Sequence, residues 1–310
     1  MRPWALHLAV VAGLLALNWL LPPYHHTNLA RVMVLAVFAM GYNIAFGYTG
    51  LLSLGHALYF AAGLYAAGLT IHLADWTAAP ALIAGLAAGA ALAALIGLLA
   101  LRTTGVAFMI VTLMFAQAGY LTILYLGAFT RGDEGFVIDR AARAIGPLDL
   151  SDDATRYLAA LALFAIALLA NLALVRSPTG RVLVAMRENP ERSRMLGYDP
   201  FRTRLLAMIL SGLYAGAAGA AYGLLFGYVG ATFASIQYSI LPLLWVLLGG
   251  AGTVLGPFLG ALAMFYLSDI TSQLTSAYLL VVGLALVLLV LFAPQGILGT
   301  LRARWLPWLP

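Results

Sequence analysis

The sequence predicts an all-α integral membrane protein with about ten transmembrane helices, or eight to ten if two glycine-rich segments re-enter the membrane. Of the 310 residues, 64% are hydrophobic and only 9% are charged, whereas a soluble domain carries about 25% charged residues. Successive apolar runs approach the ~20 residues that cross a bilayer. Short arginine-containing loops fall on one side of these runs. We interpret residues 1–310 as a single polytopic domain.

The first half of the chain contains five predicted spans. They cover residues 5–21, 29–46, a glycine-rich stretch that ends near Leu73, 77–101 and 105–129. His25 and His26 fall between the first two spans. A solvated outer loop is the favoured interpretation there, since no other ligand is near enough to complete a metal site. Arg31 is close enough to the outer end of its span to reach water.

The second half begins with the longest outer loop, residues 130–156, which contains six acidic residues and four arginines. Five further spans follow, at residues 157–175, 205–228, 238–248, 256–267 and 277–293. With ten spans the arginine-rich loops all lie in the cytoplasm, as do both termini, and the 130–156 loop lies outside. If residues 47–69 or 238–260 re-enter instead of crossing, the count falls to eight or nine. The small residues from Ser211 to Gly219 predict a tight helix-packing face.

Two glycine-rich segments predict interrupted helices. Helix packing accounts for Gly63 and Gly68, but the polar residues in these segments must face protein or water at membrane depth. Unwound backbone in opposite halves of a membrane protein is typical of a solute path near the midplane. The candidate residues for this path are Gly50, Ser53, Gly55, His56, Gly249, Gly250, Gly252 and Thr253.

Two polar residues of the fifth span are also candidates for the path. Thr112 and Gln117 lie within an otherwise apolar run. A polar side chain there requires a partner, which is either a neighbouring helix or the solute. The same two alternatives stand for His56.

The segment 177–205 is the longest polar interruption in the second half. Between Arg176 and Arg204 it carries seven arginines, which places it in the cytoplasm. Its middle predicts one short helix that ends at Gly197. The segment is either a solvated loop or a helix that docks on a cytosolic partner.

Several function classes are excluded by composition. There is no cysteine, hence no disulfide or thiolate metal site. All sixteen basic residues are arginine, so the chain lacks the lysine of an ATP-binding P-loop. Short arginine-containing loops indicate membrane topology and not nucleic-acid binding. We therefore expect no catalytic residues, no metal and no cofactor in this chain. Few titratable groups lie within the spans, which favours energy supplied by a partner over proton coupling.

Four blocks of sequence resemble the branched-chain amino acid ABC transporter permease family, LivM type. They lie at residues 47–69, 101–117, 180–223 and 247–261, and the likeness extends from about residue 30 to 300. The resemblance implies a bacterial inner-membrane importer that contains a second permease, two ATP-binding subunits that hold ATP and Mg, and a periplasmic solute-binding protein. The implied solute is a branched-chain amino acid. Urea, amides, small organic or aromatic acids, and an ATP-independent carrier or channel are the alternatives.

The resemblance also implies roles for particular residues. The segment 177–205 resembles the family's cytoplasmic coupling segment, and 52–56 its run after the second span. The coupling residues are Gly180, Ala185, Arg187, Glu188, Asn189, Leu196 and Gly197. The candidates for the outer mouth or the docking of the binding protein are Thr130, Arg131, Gly132, Asp133, Glu134 and Gly135. Relatives often carry a neutral run there, so the three charges put the identity of the solute in doubt.

Overall fold

The computed structural model describes residues 2–146, 148–305 and 308. The predicted cytoplasmic placement of both termini therefore falls partly outside the described residues. The helices are α1 Arg2–Leu17, α2 Pro23–Asn43, α3 His56–Ala74, α4 Ala78–Ala100, α5 Val106–Tyr125, α6 Gly127–Thr130, α7 Asp153–Arg176, α8 Pro178–Glu188, α9 Pro190–Met195, α10 Pro200–Phe226, α11 Ile236–Gly249, α12 Gly256–Leu274, α13 Tyr278–Phe292 and α14 Gly296–Arg304. A π-helix, Ile44–Tyr48, continues α2, and two 3₁₀ turns cover Arg140–Arg143 and Ala231–Ala234.

The all-α class is confirmed, but the count of ten spans is not. A helix occupies each predicted span position. Six of the fourteen described α-helices are long and apolar enough to cross a membrane: α2 with its π-helical end, α3, α4, α5, α7 and α10. Of the other four helices at predicted positions, α1, α11 and α13 are shorter and α12 is less apolar.

The centre of the bundle is α2, whose side chains from Ala30 to Met40 are nearly all buried. Around it pack α7, α10, α11 and α12. This helix begins at Pro23, six residues before the predicted start, because proline is favoured in the first turn of a helix. The prediction that His26 lies in a solvated loop is therefore wrong. Its ring is buried and stacks on Tyr157 at 4.3 Å.

The predicted small-residue face of α10 is confirmed. This helix packs most extensively on α4 and α3. A methyl group in place of the hydrogen of Gly89 would lie 2.5 Å from the Gly212 carbonyl oxygen, and one on Gly63 would collide with Gly216. The predicted packing role of Gly63 is therefore confirmed. Such contacts let the helix backbones approach closely, which is how apolar helices associate in lipid.

Two short antiparallel ribbons involve the predicted outer loop 130–156. Strand β1 (Phe136–Val137) pairs with β4 (Tyr228–Val229), and β2 (Ala144–Ile145) pairs with β3 (Leu148–Asp149). The first ribbon fixes the predicted outer loop 130–156 to the connection between α10 and α11.

The segment 177–205 contains two short helices and the start of α10, so the prediction of one helix is wrong. Each helix begins with a polar cap followed by proline, and the three pairs are Ser177-Pro178, Asn189-Pro190 and Asp199-Pro200. A polar N-cap accepts a bond from the first turn, and proline lacks the donor that the first turn leaves unpaired. Asn189 thus ends α8 and starts α9.

Candidate functional site

The first glycine-rich break lies between α2 and α3, as predicted. The π-helix Ile44–Tyr48 widens the end of α2, and residues 49–55 are not helical. Gly50 adopts a φ of +71° at this point, a conformation that costs little only for glycine. Unwound backbone at this depth requires partners for its polar groups.

Side-chain hydroxyls from three parts of the chain supply partners to this break. The Thr112 hydroxyl on α5 accepts from the amide of Leu54 at 3.2 Å. The Ser53 hydroxyl accepts from Gly55 at 3.2 Å. The Ser239 hydroxyl on α11 accepts from Ala57 at 3.0 Å. These bonds fix the break to two other helices, which explains the buried polar residues Ser53 and Thr112.

His56 begins α3 and is fully buried. Its Nε2 lies 2.6 Å from the Ser211 hydroxyl of α10. The rings of Tyr42 and Tyr59 contact it edge-on, with centroids at 4.6 and 5.2 Å. The interpretation of His56 as a hydrogen-bond partner of a neighbouring helix is thus confirmed, while its role in the path stays a prediction.

The second break separates α11 from α12, again as predicted. Gly250 has a φ of +119° and lies against the α14 backbone, where an added methyl group would be 2.8 Å from the Gly299 nitrogen. The Thr253 hydroxyl donates to the Gly250 carbonyl at 2.7 Å. A methyl group on Gly249 would collide with Gly256. Only glycine allows α11, α12 and α14 to meet so closely.

Asn43 joins the two breaks, and the sequence analysis missed it. Its side-chain amide donates to the Thr253 carbonyl at 2.9 Å, and its oxygen accepts from the Gly252 amide at 2.9 Å. The side chain is fully buried at the end of α2. An asparagine near the end of an apolar run was the available signal, because a polar amide at membrane depth requires a partner.

Arg187 reaches the same junction from α8, a helix of the predicted coupling segment. Its Nη1 donates to the Gly47 carbonyl at 2.5 Å, and a methyl group on Gly252 would lie 3.3 Å from this nitrogen. The guanidinium therefore links the predicted coupling segment to both breaks. A cavity of about 360 Å³ opens beside it, with Gln295 and Arg302 in its wall.

The rest of the coupling segment divides into a packed face and an exposed face. Gly180, Leu183 and Met186 are buried, and a methyl group on Gly180 would collide with the last turn of α7. Exposed residues include Ala185, Glu188 and Asn189. The tip of the segment is apolar and exposed: Met195 is 87% and Leu196 72% accessible. Gly197 follows α9 with a φ of +90°, as a helix-ending glycine does.

The remaining predicted residues lie apart from this junction. Gln117 is half-buried on α5, and its side chain makes no hydrogen bond within the described residues. In the outer loop, the Thr130 hydroxyl donates to the Ile123 carbonyl at 2.6 Å and accepts from Gly132 at 3.1 Å. Gly132 and Gly135 are buried, whereas Arg131, Asp133 and Glu134 are exposed. The three charges therefore project from a closed turn.

The described bundle, with membrane-length helices and two linked glycine-rich breaks, is that of a multi-pass membrane transport protein. A family described as "Branched-chain amino acid transport system / permease component" matches residues 26–292. The chain belongs to this permease family. It is 31% identical to the high-affinity branched-chain amino acid transport system permease protein LivM of Escherichia coli (strain K12), over 88% of this chain and 69% of that protein.

Two further relatives show the range of the similarity. The LivM protein of Salmonella typhimurium (strain LT2) is 30% identical over 88% of this chain and 69% of its own length. The autoinducer 2 import system permease protein LsrC of Klebsiella pneumoniae is 37% identical over 33% of this chain and 30% of its own length. No solved structure matches the chain.

Proposed function

We propose that the chain is a non-catalytic permease subunit of an ATP-driven importer in a bacterial inner membrane. It works with a second permease, two ATP-binding subunits that hold ATP and Mg, and a periplasmic solute-binding protein. The solute is a branched-chain amino acid or a similar small polar molecule. Family membership supports the permease role, and the names of the LivM relatives support the solute.

The single observation that carries the proposal is the exposed apolar tip of the cytoplasmic segment. Met195 and Leu196 are almost fully accessible although the stretch around them is rich in arginine. Burying a leucine side chain contributes about 1.5–3 kcal/mol. We assign this tip to a groove on an ATP-binding subunit, where its burial favours association.

The linked breaks supply the mechanical part of the proposal. α8 is packed rigidly on α7 through Gly180 and is bonded to the first break through Arg187. Movement of α8 by a partner is therefore transmitted to the α2–α3 break and, through Asn43, to the α11–α12 break. We place the solute path along these breaks, with Gly55, His56 and Thr112 beside it.

The autoinducer 2 import permease among the relatives favours a second solute class. Urea, amides and small organic or aromatic acids are further alternatives to a branched-chain amino acid. The exposed charges of the 130–135 turn also favour a different solute. Identifying the ligand that copurifies with the cognate solute-binding protein distinguishes these solutes from branched-chain amino acids.

The docking of the tip is tested by Leu196→Asp in the assembled complex. The loss of about 1.5–3 kcal/mol of burial should weaken association with the ATP-binding subunit by roughly 10- to 100-fold. Co-purification and light scattering measure this. The matched control is Val137→Asp, a similarly exposed apolar position (68%) on the outer ribbon. Equal association of both variants would contradict the docking role.

Coupling is tested by replacing Arg187 and Glu188 together with alanine. The complex should assemble and hydrolyse ATP but no longer transport solute, since the bond to Gly47 is lost. Arg181→Ala is the control, an exposed arginine on the same helix. Unchanged uptake in the double variant would refute the coupling role. Uptake driven by a proton gradient without ATP would instead establish the carrier alternative.

A further inference from the structure

Three arginines lie near the end of α10, two of them at the ring of Phe226 and the third beside Gly227. The guanidinium carbon of Arg31 on α2 lies 5.0 Å from the ring centroid, and that of Arg156 on α7 lies 5.9 Å from it. Arg143 comes from the outer loop, and its Nη1 would be 2.7 Å from a methyl group on Gly227. All three side chains and the ring are half-buried. We call these three arginines with Phe226 the outer arginine cluster.

The donors of the outer arginine cluster are only partly used. In all three arginines Nε is buried and has no hydrogen-bond acceptor among the described residues. Arg156 alone bonds through its terminal nitrogens, to Asp153 at 2.8 Å and to the Ser151 carbonyl at 2.6 Å. Each guanidinium carries five donors. Because the Nε atoms are buried, the groups that can bind an acceptor are the terminal nitrogens of Arg31 and Arg143, which make no hydrogen bond within the described residues.

Nearby carboxylates neutralise the cluster only in part. Asp149 accepts from Arg140 at 3.1 Å and from Ser151, and Asp152 caps α7 by accepting from the Thr155 amide at 3.2 Å. Within the described chain, Asp153 is the one carboxylate that forms an ion pair with a member of the cluster. The carbonyl end of α10 carries a partial negative charge that attracts cations. The three guanidiniums still carry more positive charge than this helix end and Asp153 offset, so an anion can bind.

An apolar surface continues inward from the cluster. The ring of Phe226 lies 4.8 Å from that of Tyr222, which lies 5.0 Å from that of Phe233. A ligand that places an oxoanion among the guanidiniums would therefore lay any attached apolar group against aromatic rings. Guanidinium pairs with a carboxylate through two parallel hydrogen bonds.

We propose that the outer arginine cluster binds the carboxylate of a small solute that carries an apolar group. Arg31 and Arg143 supply the donors that bind the carboxylate, and the rings of Phe226 and Tyr222 contact the apolar group. This site lies at the outer end of the bundle, away from the glycine-rich breaks. It goes beyond the proposed function, because the binding requires neither ATP nor a partner subunit.

The test uses the 310-residue chain in phosphatidylcholine nanodiscs and radiolabelled 3-methylbutanoate as the probe. Saturable binding is expected, and the corresponding amide should not compete, because it lacks the negative charge. Arg31→Gln and Arg143→Gln should each weaken binding by at least about tenfold. Arg140→Gln should leave it within about twofold, since that residue is exposed and lies outside the cluster.

Arg31→Lys separates binding from folding, because it keeps the charge but not the planar group over Phe226. We expect this variant to elute like the original chain on gel filtration and to bind with intermediate affinity. The proposal would be overturned by any of three results: binding of the probe that does not saturate, equal competition by the acid and the amide, or weakening of binding by Arg140→Gln as large as that by Arg31→Gln. Displacement of the probe by phosphatidylglycerol, but not by excess unlabelled 3-methylbutanoate, would also overturn it and assign the cluster to a lipid phosphate.

Discussion

Asn43→Ala should destabilise the protein by about 2–4 kcal/mol. The side chain makes two bonds of 2.9 Å that join residues more than two hundred positions apart. Removing it leaves the buried Thr253 carbonyl without that donor, at about 1–3 kcal/mol. The Gly252 amide is only partly buried, so its loss is nearer the net value of one hydrogen bond, about 1 kcal/mol.

Unfolding in mixed micelles with increasing sodium dodecyl sulfate measures this change. Asn43→Asp is the informative companion, because its carboxylate still accepts from Gly252 but cannot donate to Thr253. We expect it to be at least as destabilising as alanine. Asn171→Ala is the control, a buried asparagine of α7 whose side chain makes no hydrogen bond within the described residues. A loss below about 1 kcal/mol in Asn43→Ala would refute the conclusion that this amide holds the breaks together.

Three further predictions concern other parts of the fold. Gly55→Leu should abolish uptake without preventing assembly, because even its first carbon would lie 2.7 Å from the Thr112 carbonyl; normal transport would contradict this. Gly219→Val should push α10 away from the Phe60 carbonyl of α3 and lower the free energy of unfolding by about 1–3 kcal/mol. An unchanged free energy of unfolding would contradict this. Hydrogen bonds from the Ser151 hydroxyl and amide lower the pKa of Asp149 to about 2. The ionised Asp149 side chain should therefore contribute fully to stability above about pH 4, and this contribution should be lost as the pH falls towards 2. NMR of the carboxyl group measures the titration of Asp149, and a titration midpoint near pH 4 would contradict the prediction.

The sequence was sufficient to predict the helical class and both breaks. Glycine and hydroxyl residues interrupt apolar runs at Gly50–Ser53 and Gly249–Thr253. A continuous apolar helix does not explain these residues, which is why they predict breaks. The packing face of α10 was equally predictable, since small residues at the spacing of Gly212 and Gly216 bring backbones together.

Contacts between distant residues were not predictable in this way. His56 and Ser211 are 155 positions apart, and Asn43 and Gly252 are 209 apart. Nothing in the spacing of one sequence identifies which polar group pairs with which. Arg187 is a similar case: its charge predicts a cytoplasmic location, but its bond to Gly47 depends on how α8 packs.

Local signals in the cytoplasmic segment were available but unused. The pairs Ser177-Pro178, Asn189-Pro190 and Asp199-Pro200 each start a helix. A cap residue followed by proline is a strong start signal, and it divides the segment correctly. The prediction of a single helix was wrong because it relied on the spacing of apolar residues and did not use these pairs.

The contact between Asn43 and the second break has a consequence for biosynthesis. The ribosome makes α2 early, but Gly252 follows 209 residues later, which at about 5–20 residues per second takes roughly 10–40 s. During that interval the amide of Asn43 lies in or near the bilayer without its final partners. Water or another part of the chain must therefore pair with this amide until residues 252 and 253 have been made.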